Sequence, residues 1–556
     1  MKARGRQRLY SIGGAVMAFS ALVTTVGTGV TSQAVAATAT AVPKVPTPPT
    51  IQWSPCTDQI LEAYHAQCGY VSVPLDYGQP KGAHIKIAVS KIKHTSSKAD
   101  YQGDILTNPG GPGGSGLDLN PYLIEPLQSE GFGPAAADYD WIGFDPRGVG
   151  SSLPAITCVP DYFSANRPNY DPQTKNLLDY WLSESQSYAQ ACDDQSAEQS
   201  ALLHNMTTVD VAMDMDSIRQ ALGQSQITYY GFSYGTDLGQ VYSTLFPTHV
   251  RRLIMDSNVD PLRDGYQDFN LDQDGPFNRN GDIWFAWLAK YDDVYHLGST
   301  ETAVQDLYYA TQEQLGNAPA GGIVGPDEWN DIFLEAGYYE QTWLQLGKVF
   351  SDWVNKHDSA AAKKLVNLYE EIDAPGNDNE FAVYLSVLCT DSQWPLNWSV
   401  WNRNVSAINE TAPFETWDNA WFNAPCIFWS APSSTQFKVN GLGISSALLI
   451  DETLDAATPF QGSEVVRQLF PNSVLLAEPG GTSHADSLSG DLCVDGTIAA
   501  YLESGALPKR QPGAKWDKTC APLPPPVPTG GGSQNAAQGP PTFEGNGLAT
   551  FSSDLR

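Results

Sequence analysis

Short apolar runs alternate with amphipathic stretches in the first and last parts of the chain, and this alternation predicts strands and helices. Runs of four or five residues typical of buried strands occupy residues 104–107, 226–230, 446–450 and 473–477. From 261 to 430 the alternation stops. Aromatic-rich segments with helical periodicity replace it, at residues 282–290, 303–315, 327–347 and 360–372. We therefore predict an α/β core that is interrupted by a largely helical insertion.

The sequence Gly-Phe-Ser-Tyr-Gly, residues 231–235, stands between a predicted strand at 226–230 and a predicted helix at 236–246. G-x-S-x-G in this setting is typical of a nucleophile elbow, in which the serine lies on a strained turn and small neighbours avoid a collision. Ser233 is the predicted nucleophile. The alternative is a glycine-flanked turn without a chemical role, and the flanking strand and helix disfavour it.

A serine hydroxyl becomes nucleophilic when a histidine accepts its proton and a carboxylate orients that histidine, and here both should follow the serine in the chain. Asp455 is the predicted acid, because it lies a few residues past the predicted strand at 446–450 and before a Thr-Pro turn. Asp451 is the reserve choice. His484 is the predicted base, because of the eight histidines it alone lies in a glycine-rich loop after the last predicted core strand.

Acyl transfer also needs N–H donors for the developing oxyanion. Tyr234, the residue after the nucleophile, is predicted to supply one backbone donor. The glycine-rich loop at 108–116 follows the predicted strand at 104–107 and is expected to supply the other, with Gly111 as the first choice. A phosphate-binding loop is the alternative, but the loop has neither a Gly-Lys-Ser/Thr ending nor GxGxxG spacing.

The chain resembles the secreted tripeptidyl aminopeptidases of actinomycetes, relatives of proline iminopeptidase in the α/β-hydrolase superfamily. The matching stretches are residues 108–116, 143–152, 230–247, 250–261, 454–459 and 493–508. Two positions depart from the pattern. Ser483-His484-Ala485 stands where relatives usually carry Gly-His-Gly, and Asp451-Glu452 replaces the usual Gln-Gly before the acid. These departures leave Ser233, Asp455 and His484 in place but bear on pocket shape.

The resemblance implies an α/β-hydrolase fold, a mostly parallel central sheet flanked by helices, with a largely helical cap between core strands 6 and 7. We expect a signal peptide at 1–36, a linker at 37–50, the first part of the core at 51–261, the cap at 262–430, the second part of the core at 431–528, and a disordered tail at 529–556.

A cap that closes one side of the site favours an exopeptidase, whose peptide substrates present a free N-terminus. A carboxylate of the cap is the natural partner of the terminal ammonium, and Glu335, Glu340 and Asp391 are the candidates. The resemblance implies release of short peptides, tripeptides above all, by a monomeric enzyme.

Composition agrees with a secreted protein. A basic segment at residues 2–8, an apolar one at 12–30 and Ala34-Val35-Ala36 form a signal-peptide pattern, so we expect export and no membrane association after cleavage. The formal net charge of −31 argues against a nucleic-acid partner. With 42% apolar residues, the chain can bury a large core.

Eight cysteines in an exported chain predict disulfides. Pairing of sequence neighbours is the simplest hypothesis: Cys56 with Cys68, Cys158 with Cys192, Cys389 with Cys426, and Cys493 with Cys520. The sequence contains neither Cys-x-x-Cys nor His-Glu-x-x-His, and we predict no metal and no cofactor.

Two other functions stay open on the sequence. A secreted esterase or thioesterase would use the same serine, acid and histidine, and the chemistry of the cap would separate it from a peptidase. An inactive binding protein on a hydrolase fold is less favoured, because all three side chains are present.

Overall fold

The computed structural model describes residues 44–373 and 376–529. The predicted signal peptide at 1–36, residues 37–43 of the predicted linker and the predicted tail beyond Thr529 lie outside the described residues. The domain boundaries drawn from the sequence stay predictions.

A ten-stranded sheet crosses the described part of the chain. Its strands are β1 (Ser54–Pro55), β2 (Gln67–Pro74), β3 (His84–Ile92), β4 (Asp104–Asn108), β5 (Asp140–Phe144), β6 (Ile227–Phe232), β7 (Val250–Asp256), β8 (Ala447–Glu452), β9 (Ser473–Glu478) and β10 (Lys518–Thr519). They lie in the order β1-β2-β3-β5-β4-β6-β7-β8-β9-β10. The pairings β1/β2, β2/β3 and β3/β5 are antiparallel, and those from β5 onward are parallel.

The four strand-like runs of the sequence correspond to β4, β6, β8 and β9. Every residue of these strands is buried. Burial on both faces is what a parallel sheet requires when helices cover it on each side, and it explains why these strands read as continuous apolar runs rather than as alternating patterns.

Helices of the core cover the sheet: α1 (Gln59–Ala63), α2 (Leu119–Ser129), α3 (Gly133–Ala137), α4 (Lys175–Asp193), α5 (Ala197–Leu203), α6 (Thr208–Ala221) and α7 (Tyr234–Leu245). Between β7 and β8 lie the inserted helices, α8 (Gly265–Asp268), α9 (Asp274–Lys290), α10 (Asp292–Tyr295), α11 (Glu301–Leu315), α12 (Pro326–Tyr338), α13 (Trp343–Lys356), α14 (Ser359–Ile372), α15 (Asn379–Asp391), α16 (Trp398–Asn409) and α17 (Thr416–Asn423). The core then continues with α18 (Gln461–Leu469) and α19 (Leu492–Ser504). Three 3₁₀ turns complete the described elements: Pro247–His249, Glu340–Thr342 and Ala424–Ile427.

The insertion thus falls between the seventh and eighth strands of the described sheet, and between the sixth and seventh when the two-residue β1 is not counted. The segment 327–347, expected to be helical throughout, is two helices. Tyr339 between them has φ −139° and ψ 119°, outside the α region, so the first helix ends there.

Candidate active site

Ser233 lies at the turn between β6 and α7 with φ 53° and ψ −128°. A non-glycine residue with positive φ is strained, and the packing around this turn holds it in place. A Cβ added to Gly231 would lie 2.4 Å from the carbonyl oxygen of Gly235, and one added to Gly235 would lie 2.8 Å from that of Asn108. Both glycines are therefore required by space, as the elbow pattern predicts.

Asp455 follows β8 and His484 follows β9, and their side chains meet. Nδ1 of His484 lies 2.8 Å from Oδ2 of Asp455, and neither side chain is exposed. Thr458 donates to the same carboxylate, from its hydroxyl to Oδ2 at 2.9 Å and from its backbone N–H to Oδ1 at 3.0 Å. The other ring nitrogen of His484, Nε2, is buried and has no hydrogen-bond partner among the described residues.

The end of β7 joins the elbow to the histidine loop. The backbone N–H of Ser233 donates to the carbonyl of Asp256 at 3.0 Å. The next residue, Ser257, accepts the N–H of Ala485 on its hydroxyl at 2.8 Å, and the carboxylate of Asp256 accepts the N–H of Ser487 at 3.0 Å. The elbow and the loop of the predicted base are thereby held at one edge of the sheet. Ser233 and His484 are not hydrogen-bonded to each other in this structure.

The glycine-rich loop at 108–116 packs directly on the elbow. A Cβ on Gly110 would lie 2.9 Å from Cβ of Ser233 and 3.1 Å from the backbone nitrogen of Tyr234. Gly111 has φ 99°, a conformation that favours glycine, and it lines a cavity together with Ser233. The two predicted oxyanion donors are therefore neighbours of the predicted nucleophile.

The reserve acid has a different partner. Asp451 is buried, and its Oδ2 accepts a 2.6 Å hydrogen bond from the hydroxyl of Ser463. Burial and the nearby charge of Asp455 raise its pKa well above the usual range. Glu452 instead accepts the backbone N–H of Ser483. Asp451 and Glu452 thus form hydrogen bonds to other parts of the protein. Asp455 alone of the three carboxylates in this turn is hydrogen-bonded to His484.

The cavity at Ser233 has a volume of about 60 Å³. It is lined by Gly111, Ser233, Phe269, Gln273, Leu334, Tyr338, Tyr384, Glu415, Asp418, Asn419, Phe422 and Ala457. Tyr338 connects it to the predicted base, because its carbonyl accepts the backbone N–H of His484 at 2.9 Å and the two rings lie 5.9 Å apart. The insertion between β7 and β8 supplies nine of these twelve residues and therefore covers the site.

None of the three carboxylates predicted to bind a substrate N-terminus lines this cavity. Asp391 accepts the backbone N–H and the hydroxyl of Thr208, at 2.8 and 2.6 Å, and burial raises its pKa to about 8. Glu340 accepts the hydroxyl of Thr482 at 2.7 Å, and burial raises its pKa. Glu335 is buried on α12, outside the lining of the cavity.

Two other acids, Glu415 and Asp418, stand in the wall of the cavity, and the sequence pattern did not single them out. Among the described residues that line it there is no lysine or arginine. The wall of the cavity therefore contains two carboxyl groups and no basic side chain among its described residues. The sequence offered no signal for these two, because acidic residues are abundant throughout the chain.

Asp391 nevertheless reaches the site through another residue. The hydroxyl of Thr208 donates to Asp391, and it therefore accepts from the hydroxyl of Tyr234, 2.6 Å away. The side chain that follows the predicted nucleophile is thus tied to α15, one of the inserted helices.

The position where relatives usually carry the second glycine of Gly-His-Gly holds Ala485 at φ 53°. Alanine reaches this left-handed conformation at a cost of about 1 kcal/mol. The bond from its N–H to Ser257 is one of the contacts that retain it there.

All eight cysteines are paired as the sequence hypothesis has them: Cys56 with Cys68, Cys158 with Cys192, Cys389 with Cys426, and Cys493 with Cys520.

Over residues 44–373 and 376–529, no group of three or more His, Cys, Asp or Glu side chains is arranged to hold a metal ion. No helix in this same part of the chain combines the length and apolarity needed to cross a membrane.

Comparison with known proteins extends these observations. A family model described as "alpha/beta hydrolase fold" matches residues 105–319, and one described as "TAP-like protein" matches residues 412–520. The tripeptidyl aminopeptidase of Streptomyces coelicolor is 38% identical over 479 residues, which cover 85% of this chain and 86% of that protein. Serine protease Hip1 of Mycobacterium tuberculosis is 30% identical, with 82% of this chain and 89% of that protein covered.

Carboxylesterase B of Mycobacterium tuberculosis is also similar, at 30% identity over 83% of this chain and 89% of that protein. The first family model confirms the predicted fold class. The extent of the match to the tripeptidyl aminopeptidases, 38% identity over 85% of the sequence, confirms the resemblance as well. The chain belongs to the tripeptidyl aminopeptidase family of α/β-hydrolases.

Proposed function

We propose that the chain is a serine exopeptidase that releases short peptides, tripeptides above all, from free N-termini. The observation that carries this proposal is the cavity that holds Ser233 at one side and Glu415 and Asp418 in its wall, without a basic side chain among its described lining residues. A nucleophile and two carboxyl groups in one cavity suit a substrate that ends in an ammonium group.

In this mechanism Oγ of Ser233 attacks the carbonyl carbon of the scissile bond while Nε2 of His484 takes its proton. That nitrogen is buried and unpaired among the described residues, so no other protein group competes for it. Asp455, 2.8 Å from Nδ1, holds the imidazole in the tautomer that leaves Nε2 free to accept. The backbone N–H groups of Tyr234 and Gly111 receive the oxyanion. His484 then protonates the leaving amine, and water hydrolyses the acyl-enzyme.

Glu415 and Asp418 replace the candidates drawn from the sequence as the partners of the substrate's ammonium. Both line the cavity. Asp391, Glu340 and Glu335 lie outside its lining. Asp418 also accepts a 3.1 Å hydrogen bond from the amide of Asn330. The distance from these acids to Ser233 would set the length of the released peptide, because a fixed ammonium site places only one peptide bond at the nucleophile.

Substrate entry requires movement. A cavity of about 60 Å³ holds roughly four to six water molecules, since each needs about 10 to 15 Å³ of such volume. A tripeptidyl group needs several times that volume. We therefore propose that the inserted helices open for binding and close over the bound N-terminus, as lids do in other enzymes.

Secretion belongs to the same proposal. Four disulfides within the described residues are typical of proteins that fold in an oxidising compartment. The signal-peptide pattern at 1–36, outside the described residues, supports export.

The test is a panel of p-nitroanilides of mono-, di- and tripeptides with free or acetylated N-termini, together with p-nitrophenyl acetate. We expect the free tripeptides to be cleaved best. Acetylation should lower kcat/KM by roughly 30- to 1000-fold, because it removes a charge-assisted contact worth about 2 to 4 kcal/mol. Equal rates on free and acetylated tripeptides, or a strong preference for the ester, would favour a carboxylesterase instead.

Two variants locate the ammonium site. Glu415→Gln and Asp418→Asn should each reduce the preference for free over acetylated tripeptides and leave hydrolysis of p-nitrophenyl acetate nearly unchanged. Glu410→Gln is the matched control, since Glu410 is exposed at the end of α16. If the preference survives both substitutions in the cavity wall, the ammonium is bound elsewhere.

A further inference from the structure

Asn280, on the inserted helix α9, donates to carbonyl groups of three separate segments. Its side-chain nitrogen Nδ2 lies 3.0 Å from the carbonyl oxygens of Gly337 and Leu454 and 3.2 Å from that of Thr482. The residue is 1% exposed. A buried amide that meets three carbonyls in this way ties together the end of α12, the turn after β8 and the loop after β9.

The orientation of this amide is determined by its surroundings. On its other side, Oδ1 of Asn280 accepts a 3.0 Å hydrogen bond from Nε of Arg279. An amide turned the opposite way would place its oxygen against three carbonyl oxygens and its NH₂ group against an N–H donor. The two hydrogens of Nδ2 are therefore shared among the three carbonyls.

Each of the three carbonyls is close in sequence either to a residue of the proposed mechanism or to a residue that is hydrogen-bonded to one. Leu454 immediately precedes Asp455, and Thr482 lies two residues before His484. Gly337 immediately precedes Tyr338, whose carbonyl accepts the backbone N–H of His484 at 2.9 Å. The 2.8 Å hydrogen bond between Nδ1 of His484 and Oδ2 of Asp455 links the histidine loop directly to the acid loop.

We infer that Asn280 is a positioning residue, which aligns the acid loop with the histidine loop only while the inserted helices are seated on the core. The inference rests on the proposed function, because it assigns a role to the alignment of Asp455 and His484. Asn280 and Gly337 belong to the insertion, whereas Leu454 and Thr482 belong to the core. Opening of the insertion would break this junction, and hydrolysis would then proceed only in the closed state.

The first test compares Asn280→Ala with Asn278→Ala. Asn278 lies on the same helix, and its amide donates to Asp282 one turn further on, not to the acid or histidine loop. The substrate is p-nitrophenyl acetate, and the active sites are counted by titration with a covalent serine reagent. Per titrated site, Asn280→Ala should lower kcat by about 10- to 100-fold, because misplacement of a catalytic group by about 1 Å has effects of that size. KM should stay within about threefold, and Asn278→Ala should behave like the wild type.

The second test is a double-mutant cycle. If Asn280 acts through the acid and histidine, adding Asn280→Ala to Asp455→Asn should cost less than about threefold more, because residues that act as a unit are non-additive. If Asn280 had only a structural role, Asn280→Ala would lower kcat by the same factor in the wild type and in the Asp455→Asn variant. That result would overturn the inference. So would an unchanged kcat for Asn280→Ala, or an equal loss for Asn278→Ala.

Asn280→Leu guards against a variant that does not fold, because it keeps the approximate size of the side chain, removes the NH₂ group and brings no oxygen against the three carbonyl oxygens. It should reproduce the loss of kcat per titrated site, and a wild-type kcat in this variant would overturn the inference. The ester is the chosen probe because it needs no ammonium site. Failure of the peptide specificity therefore leaves this test intact, whereas an active Ser233→Ala variant would refute the mechanism on which the role of Asn280 rests.

Discussion

The hydroxyl of Thr458 donates a 2.9 Å hydrogen bond to Oδ2 of Asp455, the same oxygen that lies 2.8 Å from Nδ1 of His484. The backbone N–H of Thr458 donates to the second oxygen at 3.0 Å. One threonine therefore holds both oxygens of the carboxylate, and rotation of the carboxylate away from the imidazole would break two hydrogen bonds inside the protein.

Thr458→Val keeps the size of this side chain and removes its hydroxyl donor. We expect kcat/KM to fall by about 10- to 100-fold, since a hydrogen bond to a charged group contributes about 1.5 to 3 kcal/mol. Thr458→Ser retains the hydroxyl and should remain within about threefold of the wild type. Steady-state kinetics on a free tripeptide p-nitroanilide measures both, and equal losses in the two variants would contradict the role of the hydroxyl.

Substitution of the two candidate acids should separate their roles. Asp455→Asn should lower turnover by orders of magnitude, because His484 loses the partner that selects its tautomer. Asp451→Asn should have a much smaller effect, because an amide oxygen can still accept the hydrogen bond from Ser463. If Asp451→Asn proves the more damaging change, the acid is wrongly assigned.

Ser233→Ala removes the proposed nucleophile from the elbow. Turnover should fall by at least about a thousandfold, since a serine, histidine and acid act as a unit. The strained backbone at φ 53° is held by the glycines around it, so the thermal unfolding temperature should change little. Near-wild-type hydrolysis in a folded variant would refute the mechanism.

The sequence predicted those parts of the site that depend on local pattern. The elbow at Ser233 and the loops of Asp455 and His484 each follow an apolar run that became a buried strand, and parallel strands bring their following loops to one edge of a sheet. Asn280 had no such signal. Its three acceptors lie 57, 174 and 202 positions away in the chain, so only the packed structure brings them together.

The same limit applies to the wall of the cavity. Glu415 and Asp418 look like ordinary acidic residues of a helical segment, and the packing of α17 over the core alone distinguishes them from Glu335, Glu340 and Asp391. The pairing of cysteines, in contrast, followed from sequence neighbours, because each bridge closes a loop within a single region of the fold.

The bridge between Cys389 and Cys426 should support activity as well as stability. It joins two cysteines that are 37 residues apart and holds α15 in place. Asp391 lies at the end of α15 and is hydrogen-bonded to Thr208, which in turn is hydrogen-bonded to the hydroxyl of Tyr234. Replacing both cysteines by alanine should lower the free energy of unfolding by about 3 to 4 kcal/mol and reduce kcat. The control removes the bridge between Cys56 and Cys68, which should affect stability alone. Equal kcat values for the two variants would contradict the link to α15.

Stability should decline as the pH rises from about 5 to 9. Burial and the charge of nearby Asp486 raise the pKa of Glu478 to about 9. Burial and the charge of Glu130 raise that of Asp495 to about 8. In the unfolded chain such carboxyls ionise near pH 4. Between the unfolded-state pKa near 4 and the folded-state pKa values of about 8 and 9, the folded state therefore binds more protons than the unfolded state. The free energy of unfolding accordingly falls with increasing pH.

Thermal unfolding at one-unit intervals from pH 5 to 9 measures this trend, and we expect the highest Tm at the acidic end. Glu478→Gln removes one of the responsible groups and should flatten the decline, because the amide is neutral in both the folded and the unfolded chain. Glu313→Gln is the control, since Glu313 is exposed on α11 and should leave the slope as it is. A Tm that rises from pH 5 to 9, or a slope that Glu478→Gln leaves unchanged, would show that these carboxyls do not govern stability in this range.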